Sequence, residues 1–373
     1  MTGDVLERLT TAGVSVWLDD LTRDRLADGS LAALVRSRRV TGATSDPSML
    51  AKSLCDSPFY AGQLDDLAHR GVRAEQALRL VTTHDIRWAC DILRPVHEAT
   101  GGADGLVSVG IDPRLAHDAG ATLAEARELW RVTGRANVMV RIPATDAGLT
   151  ALSACLAEGI NADATLILSA DRYDLVADAC FEGLERAHRA GLPLAGISSV
   201  ASFLVGRIDS AVDTLLDREG TLEARAMHGT AAVSGARLAH ERHERTYRGA
   251  RWRALAALGA RPQRLLWADT TVRNPAYHDT RYVDRLVTRG TVNTMPPATL
   301  QAVADHGSVV PRRWTEETYD DARRLLGHLQ WFGIDHGELV LRLESEALKQ
   351  ADDSWHQLLD ALTLALDKDR QTP

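Results

Sequence analysis

Eight short runs rich in apolar and β-branched residues recur along the chain, and a stretch of helical periodicity separates each from the next. They read VSVW from Val14, VTGAT (40–44), LVSVGI (106–111), NVMVRI (137–142), ATLIL (164–168), AGISSV (195–200), RLLWA (264–268) and TVNTM (291–295). Runs this short and this apolar suit strands covered on both faces. The intervening segments, AGATLAEARELWRVTG and SADRYDLVADACFEGLERAHRAG among them, repeat apolar residues at helix spacing. Strands alternating with helices specify a parallel sheet, and eight such units close into a (β/α)8 TIM barrel, with additional helices in the longer gaps. An open doubly wound sheet is the competing arrangement, but no GxGxxG follows the first strand; VSVWLDDLTRD carries carboxylates there instead. A barrel keeps its active site at the C-terminal ends of its strands, so the residues that end these runs are the candidates for chemistry.

No repeat, low-complexity tract or Pro/Gly/Ser linker interrupts residues 1–373, which read as a single barrel domain. A net charge of -8 gives no footprint for nucleic acid. No run of 18 apolar residues and no signal-peptide pattern occur, so no membrane partner and a cytoplasmic location are expected. Cys55, Cys90, Cys155 and Cys180 form no CxxC pair and read as core thiols. HERHERTYRGARWRA (240–254) reads as a solvated helix face. No Ser-His-Asp or Cys-His arrangement follows from the spacing. Only Lys52, Lys349 and Lys368 are lysines among 43 Lys plus Arg.

One strand carries a charge. In NVMVRIPATD, Arg141 sits among Val138, Val140 and Ile142. A guanidinium holds its proton at any ordinary pH, so Arg141 must be paired or face a solvated mouth. Acids accompany it at other expected strand ends: Asp19 beside Asp20, Asp46 in TSDP, Asp163 in DATLILS and Asp269 in WADTT. Four carboxylates at a barrel mouth could hold a divalent ion, but no histidine is expected at a strand end, so neither metal nor cofactor is assigned. A capping or loop role is the bland alternative for Asp19.

GVSVWLDDL, GLVSVGIDPRLAHD, NVMVRIPATDAGL, SSVASFLVGRID, RLLWADTTVRNPAYHDTRYVD and TVNTMPPATL, in this order, resemble the transaldolases, above all their longer actinobacterial-type branch. The resemblance spans most of the chain and implies a class I aldolase barrel. Such enzymes cleave a ketose phosphate through a lysine Schiff base, assisted by a glutamate, an aspartate and a water. Arg141 stands where the family's IKIPAT has its lysine, and Gly110 where VSIEVDPRLAH has its glutamate. Asp19 matches the family's aspartate. TTNP becomes TSDP, which keeps Thr44 and puts Asp46 in place of asparagine. NVTLIFS becomes DATLILS, with Asp163 replacing another asparagine while Thr165 and Ser169 remain. WASTGVKN becomes WADTTVRN, with Asp269 for a phosphate-binding serine and Arg273 for a lysine. His306 in VADHG matches a family feature.

A Schiff base needs a neutral amine, which Arg141 does not provide, and the three lysines fall on helices. Gly110 implies a side-chain-sized gap, and Asp269 would repel a phosphate unless Arg273 or Arg172 neutralised it. The residues therefore lead to the expectation of a repurposed enzyme, not a functional transaldolase. Asp19, Arg141, Asp46 and Asp163 would be catalytic, with Asp269, Thr165, Ser169, Arg172, Arg273 and Thr44 binding the substrate. That substrate would be a small metabolite, cationic or non-phosphorylated, cyclised, isomerised, dehydrated or altered at a carbon–carbon bond, in specialised metabolism. A catalytically silent binding protein is the second expectation, and a pentose phosphate transaldolase the third.

Overall fold

The computed structural model of the chain describes residues 4–45, 47–311 and 313–370. All eight expected runs are strands, and they close in sequence order into one parallel barrel. The strands are β1 (Ser15–Asp19), β2 (Val40–Thr44), β3 (Leu106–Gly110), β4 (Val138–Pro143), β5 (Ala162–Ile167), β6 (Ser199–Leu204), β7 (Arg264–Ala268) and β8 (Val292–Met295). Strand boundaries shift from the expected runs by up to four residues, and two of the shifts matter. β5 begins two residues earlier than ATLIL, which draws Asp163 into the strand. β6 begins later, because Leu194–Gly196 forms a short helical turn ahead of it.

Alternation along each strand sorts the side chains. Val138, Val140 and Ile142 join the layer between barrel and helices. Inside the barrel, Trp17, Leu106, Met139, Val200, Leu266 and Val292 pack together as an apolar plug. Gly42 is dictated by that plug, since a Cβ there would lie 2.5 Å from the Trp17 ring. One step further toward the C-terminal ends, the same strands present Asp19, Thr44, Ser108, Arg141, Ser202 and Thr294. The apolar plug thus closes the floor of a polar mouth.

The longest helix, His336–Arg370, crosses that mouth. Its Leu358, Leu362 and Leu366 recur every four residues and are buried among Tyr60, Leu64, Leu67 and Leu78. Burying each of these leucines is worth about 2 kcal/mol, enough to dock one end of the helix firmly. No described helix is long and apolar enough to cross a membrane. Cys90, Cys155 and Cys180 are buried free thiols, as expected, and Cys55 lies outside the described side chains. The HERHERT segment differs from its expectation. His240 is buried, and His243, Tyr247 and Trp252 cluster with Phe181, while Arg245, Arg248, Arg251 and Arg253 stay exposed. The helical spacing that exposes one face buries the other.

Candidate active site

A cavity of about 320 Å³ opens at the C-terminal ends of the strands. Asp19, Thr44, Gly110, Arg141, Thr165 and Asp269 all line it, so six of the positions named from sequence do converge. Asp46 lies outside the described residues. The remaining positions are placed differently from expectation.

Arg141 points into the mouth and donates through Nη2 to the Ser45 carbonyl. In the sheet it lies beside Gly110 on one flank and Asp163 on the other. A Cβ added to Gly110 would meet Arg141 Nη2 at 3.4 Å and Nε at 3.8 Å. These are ordinary contact distances, so the guanidinium borders the space at Gly110, which opens to the cavity.

Asp163 is not at a strand end. It is the second residue of β5, completely buried, and absent from the cavity wall. Ser108 and Ser202 each donate a 2.6 Å hydrogen bond to its carboxylate. Burial pushes its pKa up, opposed first by the charge of Arg141 and then by the two hydroxyls. Asp163 thus supports Arg141 from below, in a position that a ligand in the mouth does not touch. The sequence reading misplaced it because the strand was started two residues late.

Asp19 closes β1 and accepts a hydrogen bond from Thr44, whose hydroxyl also meets that of Thr294 at 3.0 Å. Its neighbour Asp20 turns away and pairs with Arg25. Asp269 adopts φ 56°, a left-handed conformation that Asp tolerates better than most residues. Its carboxylate accepts from the Arg207 backbone N–H at 2.8 Å and from the Arg273 guanidinium. Arg207 Nε lies 3.6 Å from the same carboxylate. Two guanidiniums therefore bracket one acid, and the repulsion of an anion expected from Asp269 is offset locally. Leu166, also on the cavity wall, is held at φ 62°, which strains a leucine and marks the bulge in β5.

Ser169 and Arg172 do not reach this cavity. Ser169 caps the helix Ala170–Arg189 by accepting from the Arg172 N–H. Arg172 turns to Asp146 and Glu344, in a separate groove between helices. Arg273 is partly exposed, does not line the cavity, and acts on the mouth through Asp269.

Two contributions went unread in the sequence. Arg207 follows β6 within SFLVGRID, and its position just past a strand end was the available signal. Gln350, Ser354 and Trp355 come from the crossing helix, far along the chain, and no local pattern announces that crossing. The Trp355 indole N–H is buried with no hydrogen-bond partner among the described residues.

Residues 16–362 match the Transaldolase/Fructose-6-phosphate aldolase family. A protein named transaldolase from Frankia alni is 49% identical over 361 residues, covering 97% of each chain. One from Thermobifida fusca is 50% identical over 368 residues, covering 98% of this chain and 99% of its own. One from Acidothermus cellulolyticus is 50% identical, with 99% and 98% covered. These relatives overturn the expectation of an enzyme repurposed for other chemistry. Half identity over nearly the whole of both chains ties this chain to proteins named for the reaction that had been ranked last. The structure also places the acids that prompted the expectation apart from one another: of those described, Asp19 and Asp269 line the mouth. Asp163 is walled off beneath the mouth, and Asp269 is bracketed by arginines.

Proposed function

This chain belongs to the transaldolase family, and on that premise we propose that it acts as a transaldolase of the pentose phosphate pathway, with sugar phosphates as substrates. The observation that carries this proposal is the 50% identity over 98% of this chain and 99% of the relative, a length that includes every strand of the barrel. The mouth supports it. Arg207 lines it, and a guanidinium matches the geometry of a phosphate. The Trp355 N–H and the Ser354 and Gln350 side chains could meet sugar hydroxyls from above. A cytoplasmic location accompanies this role.

Arg141 favours a second reading, a family member that binds the sugar phosphate without turning it over. Imine formation requires a neutral amine, and a guanidinium stays protonated near pH 7. No lysine lines the mouth among the described residues; Lys52 and Lys349 are exposed on helices. Gly110 likewise supplies no carboxylate for proton transfer.

One experiment separates the two. Fructose 6-phosphate and an aldose phosphate acceptor are incubated with the protein, with borohydride added to a parallel sample. A new ketose phosphate, formed in proportion to protein concentration, supports the transaldolase proposal. Calorimetric binding of fructose 6-phosphate without product and without a trapped adduct supports the silent reading. Neither product nor binding removes both.

A further inference from the structure

We propose that His278, Asp279 and His306 form a surface site for a divalent ion of the zinc class, separate from the mouth. One donor atom from each lies within 4.8 Å of the other two. Asp279 Oδ1 is 2.8 Å from His306 Nε2 and 3.6 Å from His278 Nδ1. A tetrahedral ion with ligands about 2.0–2.1 Å away keeps those ligands roughly 3.3 Å apart, so small side-chain adjustments complete the set.

Two imidazoles and one carboxylate suit zinc and its neighbours in the first transition row; magnesium and calcium want oxygen alone. The Thr280 hydroxyl donates to Asp284 at 2.6 Å, so it accepts from His278 Nδ1 at 2.7 Å. A metal held by the nitrogen nearest Asp279, Nδ1, takes the place of the Thr280 hydroxyl there, and Nε2 then carries the ring proton. Asp284 also accepts from the Ser308 backbone N–H at 2.9 Å, which ties the chain beyond His306 to the same support. All three ligands are exposed, so a fourth position stays open to water. None of them lines the mouth. A bound ion would link the loop after β7 to the end of the helix Pro297–His306.

The test is a calorimetric titration of untagged protein with zinc chloride, beside magnesium chloride, for wild type, His306→Ala and His278→Ala. Other histidines can also take zinc, so the informative quantity is the difference between proteins. The wild type should bind one more equivalent of zinc than either variant, or bind it at least about tenfold more tightly. Its melting temperature should rise with zinc and not with magnesium, and the rise should vanish in both variants. Superimposable zinc isotherms for the three proteins would overturn the site, as would a magnesium response equal to that of zinc. Both histidines are exposed, so the variants should fold, and unchanged melting temperatures without metal verify that they do.

Discussion

Arg141 and Gly110 occupy adjacent strands in register, and the guanidinium of one borders the space at the other. Below them, Asp163 places a carboxylate against that charge. If the mouth otherwise keeps the geometry of its family, Arg141→Lys should let fructose 6-phosphate form a borohydride-trapped adduct. Peptide mass mapping should place that adduct at residue 141, where the wild type can give none. An Arg141→Lys protein that binds the sugar phosphate but yields no adduct would contradict the idea. Residue identity was legible at this scale: Arg141, Gly110, Asp19 and Asp269 were all found at the mouth. Contacts were not. That Arg141 borders the space at Gly110, or that Arg207 brackets Asp269, depends on side-chain paths that strand spacing does not encode.

The helix Ala231–Tyr247 illustrates what an element buries. His240 donates to the Tyr319 hydroxyl and packs edge-on against Trp314 at 4.8 Å. His243 meets the Gln263 carbonyl at 3.1 Å. Burial, the largest cause for each, lowers the pKa of both from 6.5 to about 4. Both are neutral in the native state, while the unfolded chain takes up their protons below pH 6.5. Their stabilisation is therefore complete above pH 6.5 and is lost as pH falls through 4. The shift at each is worth on the order of 3 kcal/mol. Melting temperature followed from pH 7 to pH 4 should fall steeply, and His243→Gln should show a clearly shallower fall. Parallel curves would show that this histidine does not carry the acid sensitivity. The sequence revealed the helix but assigned it to solvent, because its charged residues mask the buried stripe. Strands were easier: eight apolar runs leave little room for another architecture, and only strand boundaries shifted.

At the scale of the whole molecule, the barrel supplies the floor and walls of the site, and the C-terminal helix supplies its roof. Trp355 is the roof residue with an unpartnered donor. Trp355→Phe keeps the ring and removes the N–H. Its melting temperature should stay within about 1 °C of wild type, a shift of under about 1 kcal/mol. Its affinity for a sugar phosphate should fall severalfold, the worth of one hydrogen bond. Unchanged affinity would mean that the roof does not touch the ligand. No local sequence pattern places a helix that begins at His336 over strands that begin at Ser15, because docking of this kind rests on tertiary packing alone.

Under the proposed function, the mouth takes phosphorylated sugars, with Arg207 on the phosphate. Titration calorimetry with fructose 6-phosphate and with fructose, for wild type and Arg207→Ala, tests it most directly. The claim predicts binding of the phosphate ester only, weakened about tenfold or more in the variant, as losing a charged hydrogen bond requires. Equal affinity for fructose and its phosphate, or an unaffected Arg207→Ala protein, would contradict it.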